Sequence, residues 1–157
     1  MREWLGLTAR LVLGGVWIVA GVLKLPDPAG SVRAVRAFDL LPESVVPTVG
    51  HVLPVAEVVL GAALVLGLLT RAVAVVSAVL FLAFIAGIAS VWARGISIEC
   101  GCFGGGGAEK GASSSYPLEI ARDVGLLALS LFLVWAPRTR FALDRLLLGP
   151  VAVTGGR

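Results

Sequence analysis

The chain has 157 residues, of which 58% are hydrophobic and 15% charged, with a mean hydropathy of +0.98. Ordinary soluble domains are about 45–50% apolar and about 25% charged, so the composition excludes that class and reads as an integral membrane protein. The net charge of +3 makes no case for nucleic acid, because the basic residues flank apolar runs and form neither an arm nor a patch.

A membrane-spanning helix needs about 20 mostly apolar residues, at about 1.5 Å of rise per residue. Four stretches meet that length and predict a single membrane domain over residues 1–157, an all-α bundle of four transmembrane helices. The first covers 5–23, with Arg10 near one end and Lys24 closing the other. A basic start before an apolar run also suits a cleavable signal peptide, but no A-x-A-like site follows, so the segment is read as a retained helix.

Asp27-Pro28 then matches an N-cap followed by a first helical position, and Val32, Val35, Phe38 and Leu41 recur at helical spacing. With Arg33 and Arg36 on the other side, this predicts a short amphipathic interfacial helix, ended by Leu41-Pro42. The second span, 51–69, carries one internal acid, Glu57. Thr70 and Arg71 alone separate it from the uncharged third span, 72–92, so the two form a tight antiparallel hairpin. The fourth, 117–136, has Glu119, Arg122 and Asp123 in its first turns and is cleanly apolar only from Val124.

The connections opposite the hairpin share one face. One of them, residues 94–116, is rich in Gly and Ser and holds both cysteines of the chain. Basic residues divide seven to six between the faces, which barely orients the bundle. The cluster Arg138 to Arg145 follows the last span directly, however, and most acids lie on the loop face. The expected arrangement is therefore a multi-pass cell-membrane protein with both termini cytoplasmic, a basic cytoplasmic tail over 137–157, and the cysteine loop outside. Disulfides persist on that side.

Only Gly101 separates Cys100 from Cys102. A bridge between residues so close gains little loop-closure stabilisation, and constrained disulfide geometry makes it easier to reduce. Gly101 helps, because glycine can adopt backbone angles that a side chain would forbid. The pattern suits redox exchange. It also admits reduced cysteines used as small apolar filler, or a C-x-C site for a soft ion such as Cu(I). A structural zinc site is hard to assemble, since His51 is the only histidine, Met1 the only methionine, and there is no third cysteine; no metal is expected.

The run Ile98-Glu99-Cys100-Gly101-Cys102-Phe103-Gly104 resembles the C-x-C-F-G signature of the MauE-like, DoxX-related redox-associated membrane proteins. Gly21 to Leu25 with Asp27-Pro28, Leu40-Leu41-Pro42, Pro54 to Glu57, and Arg122-Asp123 extend the resemblance from about Leu11 to Trp135. It implies a four-helix bundle that forms or maintains disulfides outside the cytoplasm with a thioredoxin-like or DsbA-like partner. By fold-level analogy, the plan is also similar to the quinone-linked disulfide-generating proteins of the DsbB and vitamin K epoxide reductase type. Those relay electrons through two cysteine pairs; this chain has one, so it cannot copy their relay.

The expected activity is thus thiol–disulfide exchange at the catalytic pair Cys100 and Cys102, with a membrane quinone, ubiquinone or menaquinone, taking up the electrons. Glu57 is an intramembrane ionisable residue and hence a functional candidate, with Arg122 as its expected partner. The alternative for that pair is a structural ion pair that fixes helix packing. His51, two turns away, is expected at the same end as an interfacial residue, with a hydrogen bond to a bound headgroup as the alternative. Trp92 and Phe103, with Trp17, are expected to line a flat ligand site or anchor the interface. Arg94 and Lys24 are expected at the cysteine face, lowering a thiol pKa. A copper-handling protein and a non-catalytic membrane scaffold are the alternative functions.

Overall fold

The computed structural model describes residues 2–99, 107–108 and 115–135. Among these residues are five helices: α1 (Arg2–Lys24), α2 (Pro28–Ala37), α3 (Val46–Leu66), α4 (Thr70–Ala93) and α5 (Tyr116–Trp135). Two short strands, β1 (Ile98–Glu99) and β2 (Gly107–Ala108), pair between α4 and α5. Among the described residues three helices, α1, α3 and α4, are long and apolar enough to cross a membrane.

The helix boundaries follow local chemistry. Asp27 caps α2 as expected, its side chain accepting from the Gly30 N–H at 2.8 Å, with Pro28 in the first turn. The helix ends at Ala37, four residues before Leu41, because Asp39 turns the backbone to a positive φ of 50°. At the other end of α3 the turn is made by Gly67, Leu68 and Leu69, and Thr70 and Arg71 already belong to α4. Gly67 takes φ 72°, so that its N–H reaches the Leu64 carbonyl and the Leu68 N–H reaches that of Ala63. The turn therefore has three residues where two were expected, and it is displaced toward the N-terminus.

Two helix pairs make the bundle. α1 lies antiparallel along α3, and α4 along α5, whereas α3 and α4 touch only sparingly despite their tight turn. The α1–α3 seam is close enough that a Cβ on Gly61 would stand 2.7 Å from the Gly14 carbonyl oxygen. Close approach at small residues is the usual packing device of membrane helices, where no hydrophobic drive separates helix from lipid. At the end of this seam the buried Arg10 donates to the Leu64 and Val65 carbonyls, at 2.9 and 3.1 Å, and satisfies acceptors at the α3 C-terminus.

Leu13, Trp17, Leu64, Ala74, Phe81 and Leu133 fill the centre. Trp17 stacks on Phe81 with ring centroids 4.7 Å apart and donates its indole N–H to Ser77 Oγ at 3.0 Å. Its indole is thus a core element. The start of α1, the α3–α4 turn and the end of α5 occupy one end of the bundle; α2, the strands and the start of α5 occupy the other.

Candidate functional site

Cys100, Cys102 and Phe103 lie outside the described residues, but both flanks of their segment are fixed. Ile98 pairs with Ala108 and Glu99 with Gly107 in antiparallel register, so the chain leaves for the cysteines and returns from them at one place. The Tyr116 hydroxyl, at the mouth of α5, holds that place. It receives the Ile98 N–H at 2.8 Å and lies 2.8 Å from the Ile96 carbonyl oxygen, which takes its proton. Ile98 and Tyr116 are buried against Ile88 and Val91 of α4, with Ala37 and Phe38 alongside.

Two expected site residues stand at this base. Trp92 is half exposed and meets the Tyr116 ring edge-on at 6.5 Å. Arg94 donates to the Phe38 carbonyl and lies 3.8 Å from the Asp39 carboxylate, tying the end of α4 to the end of α2. Those contacts give Arg94 a bracing position. His51 is exposed on α3, and its Nδ1 lies 2.6 Å from the Pro47 carbonyl oxygen of the preceding turn.

The charged residues inside the bundle pair differently from the expectation. Glu57 is wholly buried, and its Oε1 lies 2.6 Å from Nζ of Lys24, itself 8% exposed. Arg122 instead engages its neighbour Asp123, with Nη2 2.8 Å and Nε 2.9 Å from Oδ1. The reason is helix packing: the antiparallel α1–α3 seam brings the last residue of α1 level with the middle of α3. Lys24 is therefore engaged inside the bundle.

Glu57, Arg122 and Asp123 nonetheless border one small cleft of about 20 Å³, together with Trp17 and Phe84. Glu57 Oε2 and Asp123 Oδ2 are buried there without a hydrogen-bond donor from the described residues. A water needs roughly 10–15 Å³ of such space, so the cleft has room for one water molecule between two carboxylates.

A second cavity, of about 310 Å³, opens where α3 and α4 diverge beneath α2. Its walls are largely apolar, among them Phe38, Leu41, Leu53, Leu80 and Phe84, with Ser31 polar and Lys24 the one charged group among the described residues. The volume falls at the lower end of small-molecule sites, about 300–1,000 Å³. The Lys24–Glu57 pair stands between the two spaces, the lysine lining the larger and the glutamate the smaller. Sequence reading missed this cavity and the Tyr116 tether. The only available signal for the latter was a lone tyrosine at the start of a helix after a Gly- and Ser-rich loop.

Three apolar helices of spanning length, a buried ion pair within them and a short β-ribbon at one end define a multi-pass membrane protein. Comparison with known families then places it: the chain belongs to the MauE family, whose model, described as methylamine utilisation protein MauE, matches residues 2–136. No curated protein and no solved structure matches the chain.

Proposed function

We propose that this protein is a four-span membrane thiol–disulfide oxidoreductase, with α5 as the fourth span, α2 as an interfacial helix, and both termini cytoplasmic. Cys100 and Cys102 form its exchangeable disulfide, presented outside the cytoplasm to a thioredoxin-like or DsbA-like protein. The observation that carries the reading is the pairing of Glu99 with Gly107, clamped beneath by Tyr116, which offers the cysteine segment from a fixed base. Family membership supplies the setting, since the family takes its name from methylamine utilisation. The exchange itself requires only a partner dithiol.

In the reaction a partner thiolate attacks one sulfur of the Cys100–Cys102 bridge, breaking the S–S bond and forming a mixed disulfide. The partner's second thiolate breaks that bond in turn, so the partner leaves oxidised and Cys100 and Cys102 remain as thiols. The two thiols then lose two electrons and two protons to a membrane quinone, which leaves as quinol while the disulfide re-forms.

The test is to trap the first intermediate. Cys100→Ser and Cys102→Ser variants in lipid nanodiscs are mixed with a thioredoxin-like protein whose resolving cysteine is replaced by serine and whose remaining thiol is activated as a thionitrobenzoate mixed disulfide, and are resolved on non-reducing gels. One single variant is expected to accumulate a covalent adduct that dithiothreitol releases, and the double variant none. No adduct with either single variant would overturn the reading.

A further inference from the structure

We propose that the 310 Å³ cavity beneath α2 is the binding site for the ring of a membrane quinone, with the Lys24 ammonium as hydrogen-bond donor to one quinone carbonyl. The inference deepens the oxidoreductase reading and rests on it for the identity of the ligand.

The chemistry of the walls selects the ligand class. An apolar lining with a single cation calls for an apolar body that carries an acceptor oxygen. A hydrocarbon tail satisfies the lining but has nothing to offer an ammonium. A cationic ligand is repelled. Lys24 has three N–H donors, of which Glu57 takes one at 2.6 Å, so the ammonium can hold its counter-ion and a ligand carbonyl together.

The Gly50 carbonyl, in the same wall, is the acceptor the proposal assigns to the reduced form. Pro54, within α3, has no N–H to give the carbonyl of Gly50 one turn back, and both residues line the cavity. A quinone accepts hydrogen bonds, whereas a quinol also donates them, so a site with a spare donor and a spare acceptor serves both states.

Position supports the same assignment. Phe38 lines the cavity and also packs against the cluster under the cysteine segment. Leu40 and Leu41, on the cavity's rim, are exposed at the bundle surface, where a ligand dissolved in the bilayer can enter. Apolar rings fit between the α2 and α4 walls, where Phe38 and Phe84 lie.

The test uses full-length protein in nanodiscs and a short-chain ubiquinone as probe. Binding is measured calorimetrically in the double variant Cys100→Ser/Cys102→Ser, so that no electron transfer intervenes. Oxidation of the dithiothreitol-reduced native pair by the same quinone is followed separately. Ala83→Phe, which places a ring at the cavity wall without touching the ion pair, is expected to weaken binding at least tenfold in protein that stays monodisperse. Lys24→Gln is expected to weaken it at least fivefold. If quinone oxidises the native pair but Ala83→Phe changes neither binding nor rate, the site assignment fails while the oxidoreductase reading stands. If quinone neither binds nor oxidises the thiols, the site assignment and the quinone-linked step both fail, while the adduct test alone decides exchange with the partner. Binding lost in Ala83→Phe, with thiols that quinone does not oxidise, upholds the site and refutes the quinone-linked step.

Discussion

Nζ of Lys24 and Oε1 of Glu57 lie 2.6 Å apart across the α1–α3 seam, buried in a part of the chain that otherwise presents hydrocarbon. Desolvating two charges costs more than a solvent-exposed pair returns, and removing one partner strands the other. Lys24→Met or Glu57→Leu alone is expected to destabilise the bundle by about 3–5 kcal/mol, and the double variant by much less. Thermal unfolding of the three variants in one detergent checks this. Equal losses in singles and double would mean that each residue acts through some other contact.

The same seam depends on bare backbone. A Cβ on Gly21 would stand 2.6 Å from the Pro54 carbonyl oxygen, and one on Gly61 would stand 2.8 Å from the Ile18 amide nitrogen. Neither backbone can yield without separating the helices. Gly61→Val is expected to cost roughly 1–3 kcal/mol, as overpacking does, and Gly15→Val next to nothing, since a Cβ there meets no atom within 4 Å. Unfolding midpoints of the two variants measured side by side decide it.

Tyr116→Phe removes the hydroxyl that joins Ile96 and Ile98 to α5. A buried amide left without its partner costs about 1–3 kcal/mol. The loss falls on the base of the cysteine segment, so proteolysis between residues 99 and 115 is expected to accelerate while cleavage elsewhere stays unchanged. A uniform change over the chain would place the tyrosine in general packing instead.

Outside the spans, Arg36 grips Glu43 through hydrogen bonds and holds its carboxyl below the ordinary glutamate value, while the carboxylate raises the guanidinium in return. A depressed acid contributes stability above its unfolded pKa, and loses it as pH falls through the folded one. Salt screening makes the energy of so exposed a pair small. The carboxyl carbon shift of Glu43, followed by NMR against pH, is expected to titrate below an ordinary glutamate and to return to normal in Arg36→Gln. A midpoint indifferent to Arg36 would contradict the pairing.

Local chemistry made some of the fold legible. The Asp27-Pro28 cap could be read from the chain because N-capping involves residues three apart, and the α3–α4 hairpin because apolar runs leave so little between them. Glu57 was legible as an anomaly, one acid in an apolar helix. Its partner was not: Lys24 is 33 positions away, and choosing it over Arg122 requires the antiparallel register that the Gly14–Gly61 approach establishes. Composition likewise says nothing of the cavity beneath α2, which exists because α3 and α4 part after their turn. The close spacing of Cys100 and Cys102 is evident in the sequence alone and lies outside the described residues.

The central claim is that the Cys100–Cys102 bridge is made to be opened by a partner. Its reduction potential tests this most directly, by equilibrating purified protein with glutathione buffers and counting free thiols. The account predicts a reversible two-electron couple at about −120 to −200 mV, in the range of oxidising dithiols. A potential below about −270 mV would make the pair a reductant, and no reversible couple at all would remove it from redox exchange.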